Sequence, residues 1–348
     1  MSFTPDYTNL RDAALNKRAK RLPLYEHSIS TDHMEKVLNK KFADLLNGDF
    51  KDKSEFFKWY CEFFKVMGYD TVSFEVAIRD VFPGGGALDS QIIPAIKNRE
   101  DFNNFPWEDI PKAFYESSHD KFLALSKALP PGMKMIGGPG YGVFECVQDL
   151  VGYSNLCIMG FEDQILYKDI FFAMRKLYIE IWSRFLQDHS DALCVARMGD
   201  DLGFKSNTLL APEDIKEHII PAYADIVALA HKHKHPFLLH SCGAIFNVMD
   251  DIISIAKINA KHSNEDQIAP FSYWVEQYGD RIGNFGGADT DAVCRLSKKD
   301  LKEYITNILR TTPQIGGLAF STGNSVPDYV PTENYIYMTE IVREFRGE

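Results

Sequence analysis

The sequence predicts an α/β fold, a (β/α)8 barrel closed by parallel strands. Three observations predict it. Eight short apolar runs of strand type recur along the 348 residues. Helical segments of amphipathic spacing separate them, the pattern of a parallel sheet with crossover helices. No GxGxxG follows the first run, so a doubly wound dinucleotide-binding sheet lacks its mark.

The runs are RLPLYEHS (21–28), YDTVSFEV (69–76), MKMIGGPG (133–140), DALCVARMGDD (191–201), PFLLHSCG (236–243), INAKHSNE (258–265), RIGNFGGADT (281–290) and GGLAFSTGNS (316–325). Helices are expected through SEFFKWYCEFFKVMG before the second run and EDQILYKDIFFAMRKLYIEIWSRFLQDH before the fourth. Two more are expected through APEDIKEHIIPAYADIVALAHKHKH before the fifth and SKKDLKEYITNILRTT before the eighth. The chain reads as one domain, 1–348, with residues 1–20 as an N-terminal extension. Residues 77–131 are long for a βα connection, and FPGGG and FNNFPWEDIPKAFY punctuate them, so a lid or subunit-contact insertion is expected. PGGGA (83–87) reads as a loop connection, because no Lys-Ser/Thr follows it as in a phosphate loop.

Hydrophobic residues make up 45% and charged residues 25% of the chain, the profile of a folded soluble protein. No apolar run reaches the roughly 18–20 residues of a membrane span. The start, MSFTPDYTNLRDAALNKRAKR, has no apolar core of signal-peptide type, so a cytoplasmic location is expected. The net charge of −11 disfavours nucleic acid and strongly anionic substrates. The six cysteines form no CxxC, so neither a disulfide framework nor a zinc ribbon is indicated.

In such barrels the C-terminal strand ends form the active site. Here they carry Glu26 and His27, Glu75, the GGPGYG segment with Tyr141, Asp200 and Asp201, His240 and Cys242, His262 and Glu265, Asp289, and Asn324. The glycines of GGPGYG are expected to let a ligand approach the backbone. Plainer roles stay open. Asp200 or Asp201 could cap a turn, Glu26 could be solvated, His262 could be a satisfied core histidine, and Asp289 could organise its own turn. The HKHKH run (231–235) ends an amphipathic helix, where cations suit the negative terminus.

The pair in LLHSCGA (238–244) differs in kind. Residues i and i+2 of a strand share a face, so His240 and Cys242 aim nitrogen and sulfur at one point. Zinc takes both donors, and a catalytic site needs a third protein ligand and an open position. His262, Glu265, Asp200 and Asp201 are the neighbouring suppliers. Aromatic residues in YGVFE, FSYW and PDYVPTENYIY could wall a pocket beside them.

Three longer stretches carry a family resemblance: GDDLGFKSNTLLAPEDIKEHIIPAYADIVALAHKHKHPFLLHSCG, RIGNFGGADTDAV and STGNSVPDYVPTENYIYM. They resemble the uroporphyrinogen decarboxylase superfamily, from roughly residue 10 to the C-terminus and most closely from Met198 onward. The resemblance implies a (β/α)8 barrel. It also implies one of two activities: decarboxylation, or methyl transfer linked to zinc and cobalamin. True decarboxylases carry arginines in a first strand similar to RPVWFMRQAGRY. This chain reads RLPLYEHSIS, keeping Arg21 but placing Glu26 and His27 near the next arginine position, where an acid repels a polycarboxylate. Thiol-methylating members use His-x-Cys on strand five and a second cysteine on strand eight. His240 and Cys242 match the first part, and Asn324 stands where the second cysteine falls.

The resemblance therefore implies the methyltransferase component of a corrinoid-dependent O-demethylase. It would move methyl from a small methoxylated aromatic donor to cobalamin on a separate corrinoid protein. A carboxy-lyase acting on a small acid or a tetrapyrrole is the alternative. From the strand-end residues, the expected zinc ligands are His240, Cys242, His262 and Glu265. The expected catalytic residues are Glu26, His27 and Asp201, and the substrate-binding residues Glu75, Tyr141, Asp289 and Asn324. The superfamily inclines to homodimers.

Overall fold

The structure is a computed structural model that describes residues 3–89 and 93–348. Seven parallel strands run in sequence order: β1 (Thr71–Ala77), β2 (Lys134–Gly140), β3 (Leu193–Gly199), β4 (Phe237–His240), β5 (Ala260–His262), β6 (Gly283–Ala288) and β7 (Leu318–Thr322). Each pairs with the next, and helices cover the outside, which is the predicted α/β barrel type.

The first predicted run forms the eighth stave without a regular ladder. Leu24 bridges Phe320 and Ile29 bridges Val326, both parallel. The Tyr25 N–H donates to Phe320 O, and the Phe320 N–H to Pro23 O, each at 2.9 Å. Towards β1, the Ser73 hydroxyl donates to Glu26 O at 2.6 Å. Pro23 brings no N–H, so a ladder cannot run the length of this segment.

Alternation along the strands sorts side chains into two cores. Tyr25, Ile136, Val195, Leu238, Ala260, Phe285 and Ala319 form an inner cluster; Leu24, Phe74, Met135, Phe237 and Phe320 belong to the outer one. Residues 1–20 do more than extend the chain. Leu10, Ala13 and Ala14 of the helix Thr8–Ala14 are fully buried in the inner cluster and stop the barrel's lower end. Gly283 permits that approach, since a Cβ there would lie 2.3 Å from Ala13 O.

Within 77–131, the helix Ile110–Ala128 packs against the helices Phe50–Val66 and Gln164–His189 as an ordinary outer helix of the barrel. The excursion after β1 is thus shorter than the sequence suggested. Its PGGGA loop is tied down by the buried Asp149 carboxylate, which accepts from Gly86 N–H at 2.9 Å. At HKHKH, His231 bonds Asn259 at 2.6 Å and His235 bonds Ser190 at 2.7 Å, both between neighbouring elements. No described helix is long and apolar enough to cross a membrane.

Candidate metal centre

His240 ends β4 with its ring inside the barrel, and Cys242 follows two residues on. The His240 Nε2 lies 3.4 Å from Cys242 Sγ and 3.7 Å from Asp201 Oδ1. Ligands held on zinc at ~2.0–2.3 Å stand about 3.4–3.6 Å apart at tetrahedral angles. Both separations from His240 Nε2 are near that spacing, and the three ligand atoms lie within 4.8 Å of one another. Asp201 is fixed because its Oδ1 accepts the Cys242 N–H at 2.9 Å. Two donors face the sulfur: Asn324 Nδ2 at 3.2 Å and Ser263 Oγ at 3.7 Å. Burial, and then the Asp201 charge, push the Cys242 thiol well above its ordinary range. A bound cation reverses that balance by favouring the thiolate.

Both ring nitrogens of His262 have protein partners. Nε2 lies 3.0 Å from Thr322 O, which can only accept, and 3.1 Å from Ser321 Oγ. Nδ1 lies 2.7 Å from His240 Nδ1. If His262 Nε2 carries its proton towards Thr322, His262 Nδ1 must accept and His240 Nδ1 must donate. This leaves the His240 Nε2 lone pair pointing at Cys242 and Asp201. The arrangement requires two neutral rings. Burial supplies them, lowering His262 to about 3 and His240 well below its usual value.

His27, His240 and His262 also gather within reach of one point. The His27 ring, however, stacks on His240 with centroids 3.8 Å apart and 18° between planes. A metal in the plane of one ring lies outside the plane of the other, so this trio is a packed stack and a poor chelate. The His27 Nε2 stands 3.8 Å from Glu75 Oε1, and Glu75 Oε2 accepts from Arg197 Nη2 at 2.8 Å. Arg197, wholly buried on β3, also donates to His27 O at 2.5 Å and Tyr25 Oη at 3.3 Å.

Glu26 does not face the mouth. It lies between inward Tyr25 and inward His27, so its side chain takes the outer side, as Thr322 does between Ser321 and the rim. Its carboxyl is bonded to Thr322 N at 3.1 Å and Thr322 Oγ1 at 2.5 Å. Burial raises it to about 8, with the Thr322 bonds opposing. It seals the stave between β7 and β1.

Asp200 is a cap, though for a remote helix. It accepts from Phe144 N and Glu145 N, each at 3.0 Å, and from Tyr223 Oη at 2.6 Å. Burial raises its carboxyl to about 6, against those bonds. The glycines at the end of β2 make room for two acids: a Cβ on Gly142 would lie 1.9 Å from the Asp200 carboxyl carbon, and one on Gly140 would lie 2.8 Å from that of Glu75. Tyr141 follows β2 with the Arg79 guanidinium 4.3 Å above its ring.

Glu265, Asp289 and Asn324 line a cavity of about 500 Å³ at the rim, with Lys205, Asp291 and Tyr329. Glu265 therefore stands in the cavity and outside the His240 group. Burial, and then Asp289, raise its carboxyl. Asp289 also organises its turn, accepting from Asp291 N at 2.7 Å and Asp266 N at 2.8 Å. Asn324 joins cavity and sulfur. Among the predicted aromatic segments, Tyr329 lines the cavity; Trp274 packs outside the barrel, and Tyr335 is buried against Tyr69.

The sequence reading missed Arg197 and Lys261. Each is a lone cation within an apolar strand run, which is the available signal. Lys261, buried on the outer side of β5, has its ammonium 3.5 Å from the Trp274 ring centre, and burial lowers it to about 7.

Comparison with known proteins adds the following. The family model described as "Uroporphyrinogen decarboxylase (URO-D)" matches residues 91–345. Comparison of the sequence with curated proteins returns no match. Among solved structures, a methyltransferase from Methanosarcina mazei superposes with a TM-score of 0.71 at 12% identity, over 98% of this chain and 99% of that one. A Listeria monocytogenes protein assigned as a vitamin-B12 independent methionine synthase gives 0.53 at 12% identity, over 94% and 100%. These likenesses concern the fold; the family match spans well over half of the residues, and the chain belongs to the uroporphyrinogen decarboxylase (URO-D) family.

Proposed function

We propose that this protein is a methyltransferase that moves methyl from a small methoxylated aromatic donor to cob(I)alamin on a separate corrinoid protein. The observation that carries the reading is the gathering of Asp201, His240 and Cys242 within 4.8 Å of one another, with His240 Nε2 3.4 Å from the sulfur and 3.7 Å from Asp201 Oδ1, at the mouth of a URO-D-family barrel. The methyltransferase named among the similar folds is in keeping with it.

These three residues would hold zinc, which supplies Lewis-acid polarisation of the donor's ether oxygen. One thiolate with one carboxylate and one imidazole leaves such an ion more electrophilic than two thiolates do. The remaining work falls to the chain. His262 fixes the His240 tautomer. Asn324 and Ser263 direct hydrogen bonds at the sulfur and lower its donor strength. The rim cavity beside them receives the donor, and its acids Glu265, Asp289 and Asp291 against one Lys205 select against polyanions. His27 and Glu75, inward and close to His240, are the groups that could relay a proton from solvent to the leaving oxygen.

Incubation with methoxyarenes and chemically reduced cobalamin, followed by absorbance, tests the reading. Methylcobalamin and a free phenol should appear together in equal amounts, and His240→Ala should abolish both along with one equivalent of zinc. Carbon dioxide release from acid substrates without methylcobalamin would favour the lyase instead.

A further inference from the structure

We propose a second zinc site, on the outside of the barrel at its lower end, formed by His119, Asp188 and His189. His119 lies on the helix Ile110–Ala128, and Asp188 and His189 close the helix Gln164–His189. That helix leads directly into the start of β3, so the site lies at the opposite end of the barrel from His240. One ligand atom from each of the three residues lies within 4.8 Å of the other two.

Two histidines and a carboxylate are a recurrent zinc set, with a fourth position left for water. The two imidazoles stand with centroids 5.3 Å apart at 47°. Unlike His33 or His235, neither makes a hydrogen bond to any described residue, and His119 Nδ1 is itself buried without a partner. A buried ring nitrogen left without a partner is unfavourable unless an ion or water completes it. Asp188 is exposed, with a carboxylate oxygen within 4.8 Å of a ring nitrogen of each histidine. A cation here also meets the negative end of the helix Gln164–His189. Arg184, which borders the same small cavity of about 30 Å³, has its guanidinium over the Tyr115 ring. The ion would add a clasp between two outer helices that are already joined by Arg184 over Tyr115 and by aromatic packing.

The test is zinc titration of the chelator-stripped protein against a competing dye, with His119→Gln, Asp188→Asn and His240→Ala variants. His240→Ala reports on the mouth and the other two on the lower end, so each site can fail alone. Asp188 is exposed, so Asp188→Asn should keep the wild-type circular dichroism and metal-free melting temperature. Either lower-end variant should lose one equivalent of zinc, or weaken it at least tenfold, while the equivalent removed by His240→Ala persists. A cobalt-soaked crystal should show anomalous density between the two helices. Unchanged stoichiometry and affinity in Asp188→Asn and His119→Gln, or no density there, would overturn the site.

Discussion

His262 Nδ1 lies 2.7 Å from His240 Nδ1, so two strand-end histidines meet nitrogen to nitrogen inside the barrel. Only one proton fits between them. The Thr322 carbonyl at the far side of His262 decides which ring supplies it, because a carbonyl cannot donate. A backbone oxygen on β7 thereby orients a nitrogen on β4 through β5. Such outer partners commonly fix the tautomer of a metal-binding histidine.

Replacing His262 with Ala should therefore weaken zinc at the mouth about 10–100-fold through the orientation of His240. His262→Gln, which supplies a side-chain oxygen able to accept from His240 Nδ1, should recover part of the loss. Competitive chelation measures both. Equal affinity in wild type and His262→Ala would remove the relay.

The barrel and the His-x-Cys pair were legible because both are local in sequence: alternating apolar runs, and an i, i+2 pair at the end of one strand. The same rule, applied to LYEH, shows that Glu26 and His27 cannot both face inward. What no local pattern contains is pairing across strands. Asp201 reaches Cys242 N–H from another strand end, Asp200 caps a helix that begins far before it in the chain, and Glu75 meets Arg197 across the interior. His262 looked like a ligand because residue type and strand-end position were visible, whereas the Thr322 carbonyl that occupies it was not.

Glu26 should make stability depend on pH. Its carboxyl is raised by burial from 4.5 to about 8 in the folded chain. Folding therefore favours its protonated form. That contribution is complete below the unfolded value and is lost as pH rises through about 8. At ~1.4 kcal/mol per unit, the loss between pH 5 and 8 is on the order of 3–4 kcal/mol. Glu26→Gln imitates the neutral acid, accepting from Thr322 N and donating to Thr322 Oγ1. Urea unfolding should find it near wild type at pH 5 and clearly more stable at pH 8. A stability difference that does not widen with pH would show that the carboxyl titrates normally.

Arg197 and Glu75 should be coupled in stability. Arg197→Met removes a wholly buried cation and leaves Glu75 without its Arg197 partner, which should cost about 3–5 kcal/mol. Adding Glu75→Gln should return part of this, because it removes the unpaired charge. Urea midpoints for the two single variants and the double variant measure the coupling. Strict additivity would mean that the pair makes no net contribution.

Asn324→Cys should separate metal affinity from turnover. The Asn324 amide lies 3.2 Å from Cys242 Sγ, close enough for a sulfur at this position to join the same ion as a second thiolate. Zinc should then bind more tightly, because a soft anionic donor replaces a neutral amide outside the coordination sphere. The added charge also makes the ion a weaker Lewis acid, and the leaving oxygen is polarised less. Methylcobalamin formation from a methoxyarene should fall at least tenfold while the zinc dissociation constant drops. Asn324→Ser, which adds no thiolate, should leave zinc affinity within a few-fold of wild type and separates loss of the amide from gain of the sulfur. If Asn324→Cys turned methoxyarenes over faster than wild type, electrophilic activation of the leaving oxygen would not be the metal's task, and delivery of a thiolate would become the better account of the site.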